Sequence, residues 1–501
     1  MIQPPELDLS VIGPVASVGI GAMLVLLLEV LLSRMKSVGD HRIGVYVCSV
    51  SVFALFVAAC MAAVAFAGGE ARAFDPAHPL YQLDRFSSLV SVLICVGAML
   101  SCALAVTYLD ALRINHGEFY ALVLLATSGM LFMVGAVDMI AVFVGLETMS
   151  IPVYVLAGFD RRKLRSNEAA LKYFLIGSFA TAVMLYGMAL LYGATGATSF
   201  EGLRAGFDPQ SPLALVGLGL LLVGFAFKIS SVPFHQWTPD VYEGAPSVVT
   251  AFMSVAVKTA AVGTLLRVLG LALAPMSETV QGLLWALAAA SVIVGNLMAV
   301  VQDNVKRLLA YSSIAHAGYI LIGLVAGGSE GFSAILFYLV AYTLMNLGAF
   351  GVIVALAQQG QDCERIESLA GLAESRPTLA ALLTLFMVSL AGIPGTAGFI
   401  GKFQIFMAAA SAGQIPLAII GVLMSVVSVY YYLRIPVLMY MREPAEQGPR
   451  LVTSVSEMAV LGFCAFFVLY LGIFPNGGFL LPWDVTVLDW ARASVNPFFS
   501  S

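Results

Sequence analysis

Five ionisable residues stand inside stretches of chain that are otherwise apolar, and all five are of kinds that exchange protons when buried. Glu147 sits in MIAVFVGLETMSIPVYVLAGF, and Lys172 opens a span in EAALKYFLIGS. Lys228 lies in FAFKISSVPFHQW just before Pro233, Lys258 is mid-span in TAFMSVAVKTAAVGTLL, and Lys402 follows Pro394 in PGTAGFIGKF. A charge at the bilayer centre costs about 2.5–3.5 kcal/mol on insertion scales, so the set costs on the order of 10 kcal/mol and is not decoration. The chemistry it suits is proton relay. Apolar surroundings weaken the hold of an amine on its proton and a nearby carboxylate strengthens it, so Glu147 set beside Lys228 would make proton occupancy follow their separation. Arginine cannot serve, because it stays charged at any relevant pH, and the four deepest basic residues are read as lysines. His235 and His316 add groups that shuttle protons near neutrality, and Tyr311 in YSSIAHAGY could line a water chain. The structural alternatives are a static buried ion pair for Glu147, Lys228, Lys258 and Lys402, snorkelling for Lys172, a helix-end cap for His235 and packing for Tyr311.

These residues need helices that cross a membrane and open in the middle. Of 501 residues, 60% are hydrophobic and 11% charged, whereas a soluble domain needs about a quarter charged. About fourteen apolar runs of spanning length recur, near 11–32, 43–67, 83–109, 119–137, 139–158, 169–193, 213–232, 247–273, 280–301, 308–327, 332–357, 378–396, 416–440 and 455–474. Short helical pieces are expected between the seventh and eighth and after Phe474. The fold expected is all-α and integral to the membrane, with spans seven and twelve broken at Pro233 and Pro394, since proline lacks an amide and clashes with the preceding turn. FAFKISSVPFHQW and FMVSLAGIPGTAGF correspond, and so loosely do the sixth and eleventh spans. Two five-helix units explain this, the second inverted because five is odd. The division expected is 1–115, an N-terminal three-helix segment; 116–275, the first repeat; 276–442, the inverted second; and 443–501, a C-terminal helix and tail.

Charge placement gives orientation. Fourteen of the 24 Lys and Arg fall in alternate loops, Arg161, Arg162, Lys163 and Arg165 among them, against four (Arg72, Arg85, Arg204 and Arg492) in the other set. The positive-inside rule makes the first set cytoplasmic and puts both termini outside; Arg267 and Arg434 lie within spans or at their ends, and Glu29 is read as interfacial. Other chemistries lack their marks. The six cysteines, at 48, 60, 95, 102, 363 and 464, form no CxxC pair and read as small hydrophobes. The five histidines have no metal-ligand spacing, no Walker or dinucleotide loop occurs, and no basic-aromatic platform for nucleic acid is seen.

At these same residues a family resemblance emerges. GFAFKISSVPFHQWTPDVYEGAPSVVTAFMSVAVKTAA, FVGLETMSIPVYVLAGF, VQDNVKRLLAYSSIAHAGY and AGIPGTAGFIGKF resemble, in order and over nearly the whole chain, the antiporter-like membrane subunits of respiratory complex I, the NADH:quinone oxidoreductase. Among the three sibling types the chain is most similar to the N-type: the M-type typically has glutamate where Lys402 stands, and the L-type carries a long lateral helix. The resemblance implies fourteen helices with two inverted half-channels. It makes Glu147 and Lys228 the coupling pair, Lys258 the central carrier, Lys402 the residue nearest the exit, and Lys172 the link from Glu147 to an adjoining subunit. It implies that NADH, FMN, iron–sulfur clusters and quinone are handled by partner subunits, with no cofactor held by this chain. Its implied neighbours are M-type and K-type membrane subunits, lipid and, indirectly, the peripheral redox arm, in a bacterial inner membrane with periplasmic termini. Two rival readings are a subunit of a multi-subunit Na+/H+ antiporter and a non-pumping scaffold of the membrane arm.

Overall fold

The computed structural model describes residues 7–35, 39–273, 278–357, 364–443, 453–475 and 486–499; Lys36, Cys363 and Arg450 lie outside them. The chain begins with α1 Gly13–Ser33, α2 Asp40–Gly68, α3 Arg85–Leu112, α4 Gly117–Gly135, α5 Met139–Ala157 and α6 Leu164–Thr195. There follow α7 Phe200–Gly206, α8 Pro212–Lys228, α9 Trp237–Gly244, α10 Ser247–Phe252, α11 Lys258–Arg267, α12 Glu278–Val300, α13 Val305–Ala326 and α14 Gly328–Leu356. The last are α15 Leu372–Ser375, α16 Pro377–Ala391, α17 Ala397–Ser411, α18 Ile415–Met441, α19 Val455–Ile473 and α20 Val487–Val495. A ribbon of two-residue strands, β1 Arg72–Ala73 and β2 Gln82–Leu83, pairs antiparallel with Arg72 opposite Leu83.

Hydrocarbon offers no partner for a backbone amide, so each crossing must be helical. Among the described residues twelve helices are long and apolar enough to span, and α8 and α16 are shorter apolar helices. These fourteen answer to the fourteen runs of the sequence. Their ends are set locally: Asp84 and Ser87 form a reciprocal cap on α3, the Asp138 carboxylate accepts from the Ile140 amide at 2.7 Å on α5, and the Asn304 side chain accepts from the Lys306 amide at 2.9 Å on α13. Outer helices turn large apolar side chains to lipid, as at Met23 and Leu27 on α1, Phe179 on α6 and Val426 on α18. The segment from α10 to α11, α13 and α14 are buried almost throughout and form the core. Where α6 meets α8, a Cβ at Gly187 would come within 2.6 Å of the Leu221 amide, so the two backbones touch only because a glycine is there.

One set of backbone contacts occurs twice along the chain. The Met139 amide donates to the Thr198 carbonyl and Val305 to Glu364, while Phe200 donates to Val137 and Ile366 to Asp303. The bridges Asp138–Ser199 and Asn304–Arg365 complete the set at the same constant spacing along the chain.

Two details differ from the sequence reading. Spans seven and twelve, expected over 213–232 and 378–396, end early, at Lys228 and Ala391, because the chain turns through left-handed residues, Ser230 at φ 65° and Gly392 at φ 83°, ahead of each proline. After the second turn the chain forms a separate helix, α17, which hydropathy alone does not divide from its neighbours. The eighth span is likewise not one regular helix: π-helical turns at Met253–Val257 and Val268–Ala272 bracket α11.

Candidate functional site

On α5, Glu147, Ser150 and Tyr154 recur at helical spacing and share one face. Lys228, 3% exposed as the last residue of α8, meets that face. Its Nζ donates to Ser150 Oγ at 2.7 Å and to Tyr154 Oη at 3.2 Å, and lies 5.1 Å from the Tyr154 ring centre. The direct Glu147–Lys228 pair expected from the sequence is not formed, because the Ser150 hydroxyl takes the place nearest the ammonium. Glu147 Oε1 is buried and has no hydrogen-bond partner among the described residues. The Ser150 hydroxyl that accepts from Lys228 donates in turn to the Leu146 carbonyl, so no hydrogen bond links the Glu147 carboxylate to the amine among the described residues.

The α8 break is held by others. Trp237 Nε1 donates to the Phe227 carbonyl at 3.1 Å, covering one of the acceptors a helix end leaves open. The Val232 amide donates to Ser291 Oγ at 2.9 Å, tying the unwound segment to α12. His235 sits half-buried in this segment with Nδ1 unpartnered.

Lys258 follows the first π turn, a feature that often marks functional positions. It is 2% exposed; its Nζ donates to the Ser313 carbonyl at 2.6 Å and to the Ser313 hydroxyl, which also accepts from Tyr342 Oη at 2.9 Å. On α13 the neighbouring Ser312 hydroxyl bonds Tyr432 Oη. That phenol reaches His316 Nε2 at 3.0 Å, and the other ring nitrogen of His316 meets Tyr338 Oη. The histidine thus stands between two phenols, where a neutral imidazole takes a proton on one nitrogen as it releases one from the other. Tyr311, though buried, makes no hydrogen bond among the described residues.

Lys402, on α17, reaches back across the second break. Its Nζ donates to the Leu390 and Ala391 carbonyls and to Ser425 Oγ, each at 3.0 Å, and sits 4.9 Å from the Tyr319 ring centre. It caps α16. A side chain at Gly392 would strike Lys402 Cδ at 2.9 Å, so glycine is needed there for space as well as for its φ.

Two expectations about basic residues are corrected. Lys172 is not deep: its side chain is 40% exposed and bonds Glu168 at 2.7 Å and Asp240 at 2.8 Å. It belongs to a mouth of charges in which Arg307 bonds Asp240 and Glu243, each at 2.9 Å, around a cavity of about 160 Å³. Nor are the deepest basic residues all lysines, since Arg267 is 0% exposed; Lys306, read from the sequence as a loop residue, is buried as deeply. Each is drawn inward by carbonyl acceptors, of Ala136 and Ala245 respectively.

Comparison with known proteins follows this geometry. The family model described as NADH:quinone oxidoreductase/Mrp antiporter, TM, matches residues 136–428. NADH-quinone oxidoreductase subunit N 1 of Herpetosiphon aurantiacus is 43% identical over 482 residues, 94% of this chain and 95% of its own. Subunit N of Trichlorobacter lovleyi is 49% identical over 369 residues, 73% and 76% of the two chains. The chain belongs to this family. A chain of respiratory complex I from Thermus thermophilus is similar with a TM-score of 0.78 at 35% identity, covering 92% of this chain and 97% of its own. A chain of the Mrp complex from Dietzia sp. matches with a TM-score of 0.84 over 97% of both chains, but at 22% identity, a likeness of fold alone. The family match ends at residue 428, so Tyr432, which joins Ser312 to His316, lies just past it. Ser150 and Tyr154 were legible as the face of Glu147, and Ser312 and Ser313 as the turn before His316. Nothing local announces Tyr432 or Asp240, which arrive from distant helices.

Proposed function

We propose that this chain is the N-type proton-translocating membrane subunit of a NADH:quinone oxidoreductase. Protons pass from the Lys228 region to Lys258, along the Ser312–Tyr432–His316–Tyr338 row and on to Lys402. The observation that carries this is Lys258: a fully buried amine with no carboxylate within ion-pair distance among the described residues, held by a serine adjoining that row. A static ion pair would need its acid; a relay needs an amine that can give up its proton.

In this reading residues 116–275 and 276–442 are two inverted half-channels, the basic loops face the cytoplasm of a bacterial cell, and both termini face the periplasm. Electron transfer from NADH to quinone, with its FMN and iron–sulfur clusters, takes place in partner subunits, while M-type and K-type neighbours adjoin this chain in the lipid. Glu147 is the residue through which a neighbouring charge acts on Lys228. The names of relatives at 41–49% identity support the reading over an Na+/H+ antiporter subunit. The test is Lys258→Ala in the intact complex, read as NADH:quinone activity, proton translocation and assembly on native gels. Normal assembly with loss of both activities is expected. Normal activity with normal pumping would leave the scaffold reading.

A further inference from the structure

Arg267 has no part in the relay just described, yet it is 0% exposed. It stands at the far end of α11 from Lys258, nine residues on, about 13 Å along the axis. Its Nη1 lies 2.8 Å from Asp84 Oδ2 and its Nε donates to the Ala136 carbonyl at 2.9 Å. Asp84 caps α3, Ala136 is in the turn between α4 and α5, and Tyr81 packs there with a buried hydroxyl that has no partner among the described residues. Three segments therefore close on one guanidinium. The Asp84 side chain is 18% exposed and that of Arg267 0%, so the positive member of the pair is the more deeply buried one.

The second repeat holds a counterpart. Arg434 on α18 stands nine residues after Ser425, the hydroxyl bound by Lys402. Arg434 bonds an aspartate, Asp303, at 2.9 Å and a carbonyl, Gln302, at 3.2 Å, in the turn between α12 and α13. That turn matches the α4–α5 turn in the duplicated backbone contacts, where Asp303 answers to Val137. An arginine bonded to a carbonyl of a corresponding turn and paired with an aspartate thus occurs in each half of the chain, although the two aspartates come from different positions. The two copies differ in burial: the side chain of Arg434 is 34% exposed and that of Asp303 83%.

We propose that Arg267 and Arg434 are paired electrostatic stops, Arg267 sealing the outer end of the first half-channel and Arg434 the inner end of the second. A fixed cation in a narrow path repels protons and other cations, and arginine holds its charge where a lysine could surrender it. With the outer end closed, a proton on Lys258 leaves only sideways, through α13. The proposal rests on the half-channel reading above, but it predicts a property that needs no turnover, passive proton leak.

The experiment uses inverted membrane vesicles carrying the intact complex, in which an acid jump imposes a pH gradient and a fluorescent dye follows its decay without NADH. Arg267→Gln should speed the decay severalfold, Arg434→Gln should do so by less, and Arg267→Lys should restore the seal only in part, since a lysine there can surrender its charge. Decay at the unaltered rate in assembled Arg267→Gln and Arg434→Gln complexes overturns the proposal. Should Arg267→Gln not assemble, Arg434→Gln decides alone, since its half-exposed site tolerates the change, and an unaltered decay there is equally fatal. The half-channel reading fails separately, if Lys258→Ala pumps normally.

Discussion

The two helix breaks solve one problem with different residues. Each leaves carbonyls at the end of a half-helix inside the membrane, where no water competes for them. At the first break Trp237 donates to the Phe227 carbonyl, and Lys228 is left to bond only side-chain oxygens, those of Ser150 and Tyr154. At the second, the lysine itself is the cap, donating to Leu390 and Ala391. Lys228 can therefore change partners without unravelling its helix, whereas Lys402 cannot let go without uncovering the Leu390 carbonyl and leaving Ala391 only the Ser425 hydroxyl at 3.5 Å. The first break separates structure from chemistry, and the second combines them.

The sharpest test sets Lys228→Ala against Lys402→Ala. Both should cut coupled proton translocation and quinone reduction by about tenfold or more, equivalent to at least about 1.4 kcal/mol. Only Lys402→Ala should also destabilise, since each uncovered carbonyl costs about 1–3 kcal/mol. Thermal inactivation of purified complexes separates the two. Equal thermal stability of the variants would break the comparison.

Next in size is Tyr432→Phe, which removes the bonds to Ser312 and His316 while keeping the ring. A loss of pumping of several-fold with normal assembly is expected. The effect should vanish in a Lys258→Ala background, because both lie on one path. Additive losses would place Tyr432 off the path.

How much of this was legible follows from which interactions are local. Glu147, Ser150 and Tyr154 fall on one helical period, and Pro233 and Pro394 announce the breaks, so the sequence shows where a site lies. It does not show partners. The spacing cannot reveal that Lys228 bonds Ser150 and Tyr154 and not Glu147, nor that Tyr432 bridges to α13 from more than a hundred residues away. Lys172 shows the opposite failure: its apolar neighbours suggest depth, but their sides face lipid while the amine bends to Asp240. Arg267 was visible as an arginine at the end of an apolar run, and a membrane interface was the natural place to put it. The convergence of α3, the α4–α5 turn and α11 buries it instead.

Trp237→Phe tests the other half of the comparison. Loss of the indole N–H leaves the Phe227 carbonyl to the Ser230 amide at 3.1 Å, but keeps the stacking on Tyr173, whose ring centre lies 4.3 Å away. A destabilisation of about 0.5–1.5 kcal/mol, the net worth of one hydrogen bond, is expected, with turnover per assembled complex nearly unchanged. A large loss of turnover with normal stability would mean that the first break also merges structure with chemistry.

The smallest effect belongs to the mouth. Burial pushes the Asp240 carboxyl up, but hydrogen bonds from Lys172 and Arg307 more than offset this and hold it below the ordinary aspartate range. A depressed carboxylate contributes stability above its unfolded value, and that contribution is lost only as pH falls through the lowered folded value. From about pH 6 to 8, well above the usual aspartate value near 4, the anchor on Lys172 is therefore constant. Asp240→Asn should lower activity about two- to threefold, the scale of a partly exposed ion pair worth under about 1 kcal/mol, and by the same factor across that range. A deficit that grows or shrinks between those pH values would show that Asp240 takes and releases protons during turnover, which would extend the relay to the mouth and make Lys172 one of its carriers.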